Sequence, residues 1–457
     1  MSSKEDENFS LWINSTLDTF GFRPEIISFR SYWYDKLAEN MNLKLEELSP
    51  FRFSLVGSAG EGVRLGKSDT DILSVFKNTV CSDNPRINVH LNILKTDYSG
   101  TAPGYTKIVL INKSSSDIRH PFHFDTMYKS TEGHPYIPCA LEYFAGKSEI
   151  NGPAFSSAFP YESYLFSGTD LVFSFYFTGK EHLSEWAKRS RFYAWPQHTV
   201  LNEISKMEGY IVPVGDKQSD LKCLEWRICY TTAEKKLVQH LNDAQKKLYI
   251  LLKMVCKTIL QPICKAITSY IVKNVVFWVA ERMPELQCSV NCLMNLLQKA
   301  LYFIKYCLEN NHLPNYMIPG RNLLRGGVSG REKRQAIDLL SQLMKEGGAI
   351  VVRIPKLYQC MFHMVHSPER GSRYGIWRDE VEKQTMKFLV LCQKEYSRRW
   401  VPMPILSFLQ VLKNMNYMKA LKYFMLVVPE FPNMIVQGKF VELQYLFLAR
   451  VEATMLL

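Results

Sequence analysis

The chain has no Cys-x-x-Cys pair, no internal repeat, no low-complexity tract and no long apolar run. Each absence excludes something. Eleven cysteines are present, an odd number without pattern in 457 residues, and they read as reduced thiols in a cytoplasmic protein rather than a disulfide framework. The nearest approach to a membrane span is residues 271–280, interrupted by Lys273. That is short of the roughly 18 apolar residues a bilayer crossing needs, so no membrane contact is expected. Residues 1–9 are polar and acidic, unlike an apolar export signal.

What remains is globular in composition, with 47% hydrophobic, 13% aromatic and 22% charged residues. The length favours two lobes over one core. The net charge is +12, but residues 1–50 hold nine acids and five bases, so the rest of the chain carries +16. A surplus of that size suits a polyanionic partner such as nucleic acid or nucleotide phosphates.

Periodicity divides the chain into an α/β part and a helical part. Apolar spacing predicts helices over residues 9–47, interrupted at Pro24. Strands are predicted over 51–57, 69–76, 105–111 and 170–177, with residues 80–104 and 113–160 as loops and short elements. From about residue 181 long helical patterns take over: 181–192, 232–260, 267–280, 290–310 and 331–345. Residues 376–457 also read as helical. The expectation is an α+β protein: an N-terminal α/β core over 1–180, a helical lobe over 181–350 and a helical C-terminal extension over 351–457.

The chemistry concentrates between Gly57 and Asp71. Gly57-Ser58-Ala59-Gly60-Glu61-Gly62 follows the first strand, and Ser68-Asp69-Thr70-Asp71 opens the next. Side chains two apart on a strand face the same way. Asp69 and Asp71 can therefore converge on hard cations, which prefer oxygen ligands. The turn offers free N–H groups and the Ser58 hydroxyl to phosphates. Asp170, opening an apolar strand after Gly168-Thr169, is the candidate third carboxylate of a two-ion phosphoryl-transfer site. An isolated Asp-Thr-Asp is more often a turn or a helix cap. A calcium loop does not fit, because Ser74 stands where its glycine belongs. A P-loop does not fit either, because Glu61 stands where its first glycine belongs, although Gly66-Lys67-Ser68 matches its end.

An ordered series of motifs over residues 50–325 resembles the Mab-type nucleotidyltransferases, the family of cyclic GMP–AMP synthase and its animal relatives, the cyclic GMP–AMP synthase-like receptors. The series is Gly57-Ser58 with Glu61-Gly62, then Asp69-Thr70-Asp71, Asp170-Leu171-Val172, Trp186, Trp195-Pro196 and Val212-Pro213-Val214-Gly215. Glu225-Trp226-Arg227, Ser269-Tyr270, Leu313-Pro314-Asn315-Tyr316 and Pro319-Gly320-Arg321 complete it. The resemblance implies a bilobed nucleotidyltransferase fold, with a mixed β-sheet lobe, a helical lobe and the active site in the cleft. It implies two Mg2+ or Mn2+ ions on Asp69, Asp71 and Asp170. Gly57, Ser58, Arg227, Glu234, Lys253, Ser269 and Tyr270 would bind nucleotide. Of these, Lys253 and Ser269 would hold the donor triphosphate, and Tyr270 would stack on a base.

By the same resemblance, the reaction joins two ribonucleoside triphosphates, ATP and GTP, into a cyclic dinucleotide for innate immunity. A catalytically silent relative and an RNA-tailing polymerase are the rival readings. The chain departs from the pattern at Val56, where the mammalian synthase has a threonine, and at Cys229 and Thr231, which replace two serines. The family's DNA sensor carries a zinc thumb, but residues 234–253 here hold one histidine, His240, and no cysteine. No zinc is expected, since four N/S ligands cannot be assembled there. Cys288 and Cys292 read as core thiols. Lys188, Arg189 and Arg191 crowd one short helix and are the candidate contacts for double-stranded RNA.

Overall fold

The structure is a computed structural model, and it describes residues 4–66, 69–114, 136–139, 150–151, 153–157, 168–395, 410–411, 413–415 and 417–454. The architecture is mixed, a sheet with many helices. Among the described residues nine strands are formed: β1 Phe51–Val56, β2 Thr70–Ser82, β3 Asn92–Asp97, β4 Tyr105–Asn112, β5 Ile150–Asn151, β6 Ala154–Ser157, β7 Thr169–Phe177, β8 Gly209–Val212 and β9 Glu225–Cys229. The chain divides into two compact units, each assembled from separated segments. The first takes residues 1–14, 74–155 and 172–355; the second takes 15–73, 156–171 and 356–457. Both β2 and β7 begin in the second unit and continue in the first.

In the first unit, β3 runs parallel to β2 (Thr79 opposite Asn92) and antiparallel to β4. Then β4 pairs with β9 through Tyr105 and Arg227, β9 with β8, and β8 with β7 through Phe175 and Ile211. Alternate residues such as Phe175, Phe177, Ile211, Trp226 and Ile228 are buried, as a covered sheet face requires. The helices Asp243–Val255, Ser269–Arg282, Leu293–Glu309 and Gly330–Glu346 pack together in the same unit. Their apolar stripes, among them Leu251, Val275, Leu297, Ile304 and Leu340, form its second core.

Two predicted helices are shorter or broken. Residues 232–260 are not continuous: Thr231–Gln239 ends, and Asn242 opens Asp243–Val255 with a capping box, its side chain accepting from the Gln245 N–H. The helix predicted over 181–192 stops at Lys188, where Arg189 turns extended.

The second unit is built on the helix Pro24–Lys44. Before it, the chain kinks at Gly21, which takes φ +93. Helix Pro24–Lys44 packs against strand β1, the turn after it and the C-terminal helix Pro368–Glu395. Tyr34, Leu37, Leu55, Ala59 and Ile72 share one core with Phe388, Phe424 and Phe447 from the C-terminal helices. Among the described residues, no helix is long and apolar enough to cross a membrane.

Candidate functional site

The acid-bearing candidate residues lie in the second unit. Strand β1 ends at Val56, and the chain makes one helical turn, Gly57–Gly60. Gly57 takes φ +61, and a β-carbon there would lie 1.9 Å from the Asp71 Oδ2. The bare backbone of the turn is thus pressed against a carboxylate, which only glycine permits. The Glu61 N–H donates to the Gly57 carbonyl at 3.0 Å, and the Val63 N–H donates to the Ser58 carbonyl at 3.0 Å. Ser58 is half-buried on this turn.

Asp69 is exposed just ahead of β2, Thr70 is fully buried and Asp71 is half-buried, the alternation expected of a strand edge. The Thr70 N–H donates to the Gly168 carbonyl at 2.9 Å, which joins the starts of β2 and β7. Gly168 takes φ +65, and a β-carbon there would lie 2.6 Å from the Asp69 Oδ1. Asp170 is half-buried two residues further along β7. Lys67 and Ser68 lie outside the described residues. The three carboxylates and the two glycines that make room for Asp69 and Asp71 offer oxygen donors of the kind that hold Mg2+ or Mn2+. Among the described residues, no three His, Cys, Asp or Glu side chains stand close enough together to enclose a cation as they are.

A second group of predicted residues lies in the first unit. Arg227 sits on β9, and its Nε donates to the Cys229 Sγ at 3.4 Å. Tyr270 is in the first turn of helix Ser269–Arg282. Its hydroxyl donates to the Glu234 Oε1 at 2.9 Å and accepts from the Asn315 Nδ2 at 2.8 Å. Burial, then the Glu234 charge, pushes the Tyr270 hydroxyl above its ordinary pKa. Glu234 also pairs with Lys273 at 2.7 Å, both nearly buried, and Lys273 stands over the Tyr270 ring. The ring is therefore held by three polar neighbours, with its orientation set before any ligand arrives. Lys253 is nearly buried in the last turn of its helix, its ammonium over the Tyr249 ring. The Cys256 thiol donates to the Ile267 carbonyl at 2.9 Å, which ties the end of that helix to the segment entering the exposed Ser269.

Sequence reasoning missed Lys273 and Asn315 as parts of this group. Lys273 was visible as the charge interrupting an apolar run, and a buried lysine needs a partner. Asn315 was visible only as a motif letter. Its side chain accepts from the N–H groups of Met317 and Ile318, so it also holds the loop after it.

The basic trio behaves differently from the expectation. Arg189 and Arg191 are turned inward on Glu281, at 2.6 and 3.0 Å, and are 17% and 7% exposed. Arg189 also lies between the Trp278 and Tyr316 rings, and the Tyr316 hydroxyl donates to the same Glu281 at 2.7 Å. Both guanidiniums are thus engaged within the fold. Lys188 is exposed.

These features define a mixed α/β protein with a helical second half, carrying carboxylates beside a glycine turn in one unit and a preset tyrosine in the other. Comparison with known proteins adds the kinship. Residues 244–344 match the Mab-21 protein HhH/H2TH-like domain, the stretch that contains Lys253, Ser269, Tyr270 and Asn315. The chain is 27% identical over 139 residues to the Protein mab-21-like of Aedes aegypti. The match covers 29% of this chain and 37% of that protein, so the chain spans little over a third of the relative's length.

Proposed function

We propose that the chain is a metal-dependent nucleotidyltransferase that joins two ribonucleoside triphosphates, releases pyrophosphate at each step and closes a cyclic dinucleotide. The observation that supports this best is the Gly57 backbone against the Asp71 carboxylate, with Asp69 and Asp170 on strand starts tied by the Thr70–Gly168 hydrogen bond. A turn of that kind brings backbone N–H groups beside acids, the combination a triphosphate bridged by cations needs. Two divalent ions on Asp69, Asp71 and Asp170 would supply charge neutralisation at the attacking and leaving oxygens.

The residues divide the remaining tasks. Gly57 and Ser58 present N–H groups and a hydroxyl to the phosphates. Asp170 takes the proton from the attacking ribose hydroxyl. The Tyr270 ring, fixed by Glu234, Lys273 and Asn315, offers a flat face to a base, and Arg227 contacts a base or phosphate. Lys253 and Ser269 hold the donor triphosphate. Signalling in innate immunity, with double-stranded RNA as trigger, is the biological role we assign. The basic surplus supports it, and Lys188 is the one candidate contact of the trio that faces solvent.

The test is incubation of the purified chain with labelled nucleoside triphosphates and Mn2+, with and without long RNA duplexes. A cyclic dinucleotide that forms with wild type and not with Asp71→Asn supports the reading. Extension of an added RNA would point to a tailing polymerase, and nucleotide binding without turnover to a silent relative.

A further inference from the structure

We infer that the C-terminal helical segment braces the glycine turn, and that Glu382 is a positioning residue for it, acting through Arg30. This rests on reading the turn as part of a nucleotidyl-transfer site. Glu382 lies in helix Pro368–Glu395 and is 2% exposed. Its carboxylate accepts the Arg30 fork on both oxygens, with the Nη2 at 2.7 Å and the Nε in a short contact. The Arg378 Nη1 donates to it at 2.8 Å. Arg378 also meets Asp379 at 3.0 Å, and Asp379 faces Arg23 at 3.5 Å. These charges join the start of the Pro24–Lys44 helix to a segment some 350 residues away in sequence.

The network does not stop at the helix. The Arg30 Nη1 donates to the Gly62 carbonyl at 3.3 Å, and the neighbouring Ser31 hydroxyl donates to the Gly60 carbonyl at 2.8 Å. Gly62 takes φ +78, and a β-carbon there would lie 2.1 Å from the Ile27 carbonyl. Ile27, Arg30 and Ser31 are spaced i, i+3 and i+4, so one face of the helix touches the turn at three points. Gly21 allows the other end of the same contact: a β-carbon there would lie 1.8 Å from the Arg378 guanidinium.

Buried ion pairs are weak evidence of stability, because apolar side chains of similar volume often serve as well. What a guanidinium adds is a rigid fork of donors with fixed directions. Here one side of the fork is set by Glu382 and the other points at the turn. The turn runs back five residues from Gly62 to Gly57, which lies against Asp71. Moving Glu382 therefore moves the surface on which Asp71 rests.

The experiment uses the full chain as wild type, Glu382→Gln and Arg30→Lys, with three readouts: melting, amide exchange by mass spectrometry and Mn2+ affinity by paramagnetic resonance. Arg30→Lys keeps the charge opposite Glu382 but cannot span Glu382 and Gly62 together. We expect it to melt within a few degrees of wild type, to lose exchange protection over residues 57–64 selectively, and to bind Mn2+ about tenfold more weakly, as supporting residues behind metal ligands do. Glu382→Gln should show the same local pattern. Native protection over 57–64 with unchanged Mn2+ affinity in Arg30→Lys overturns the inference, and so does a loss of protection spread evenly over the unit. If Glu382→Gln does not fold, Arg30→Lys decides alone. Absence of Mn2+ binding in wild type would sink the metal-site reading, while the exchange pattern would still judge the brace.

Discussion

Asp71 touches a bare glycine, and that contact separates it from an ordinary Asp-Thr-Asp turn. Gly57→Ala places a methyl group where the Asp71 Oδ2 now lies and strains a residue at φ +61. The strain costs about 1–2 kcal/mol, yet the displaced carboxylate should remove nearly all product formation. The check is thermal melting beside the labelled-nucleotide assay; near-normal turnover would mean the contact is incidental. Asp69→Asn should abolish activity while leaving melting unchanged or raised, since it removes one of the neighbouring negative charges. Glu281 predicts the opposite pattern. Glu281→Ala strands two guanidiniums and the Tyr316 hydroxyl inside the fold, and should cost about 3–5 kcal/mol. Reversing Arg189 or Arg191 should likewise lower the melting temperature, whereas reversing exposed Lys188 should leave it alone; equal melting in all three would restore the basic trio as a surface feature.

At the scale of elements, much was legible in the sequence. Alternation exposed β1 and the start of β2, and the helices Ser269–Arg282, Leu293–Glu309 and Gly330–Glu346 match their predicted spans to within a few residues. Strands β3, β8 and β9 went unread, because each is short and draws its register from neighbours rather than from its own pattern. The break at Asn242 was hidden because the apolar spacing continues through Leu241, Ala244 and Leu248 on both sides of the cap. The stop at Lys188 was hidden because Arg189 leaves the helix for Glu281, a partner 92 residues away. The Gly57–Asp71 stretch was legible because its residues are close in sequence. The Glu234–Lys273–Tyr270–Asn315 group was not, because it is assembled from three separate elements.

Helix Pro368–Glu395 also carries a pH prediction. Burial alone would raise the Glu382 carboxyl, but Arg30 and Arg378 outweigh it and bring it from the ordinary 4.5 to about 2. A depressed carboxyl contributes stability that is complete above its unfolded value and lost as pH falls through its folded one. The second unit should therefore weaken between about pH 4.5 and pH 2. Acid titration of wild type against Glu382→Gln should show a shallower loss in the variant over that window; parallel curves would contradict the pairing.

For the whole molecule, the C-terminal segment is part of the unit that carries the acids and not an appendage to it. Phe388, Phe424 and Phe447 fill the core that Tyr34, Leu55 and Ile72 enter from the other end of the chain. Deleting residues 356–457 should leave those apolar faces uncovered and yield insoluble protein or a unit without cooperative melting. A soluble, cooperatively melting truncation would show that the extension folds apart. The central claim is that this chain makes phosphodiester bonds with Asp69, Asp71 and Asp170. Its most direct test is product analysis by chromatography and mass spectrometry after wild type, Asp69→Asn, Asp71→Asn and Asp170→Asn are each incubated with the four ribonucleoside triphosphates and Mn2+, with and without RNA duplex. The account predicts a cyclic dinucleotide and pyrophosphate from wild type alone. Equal product from folded Asp69→Asn or Asp71→Asn, or none from wild type under every condition while it still binds nucleotide, would contradict it.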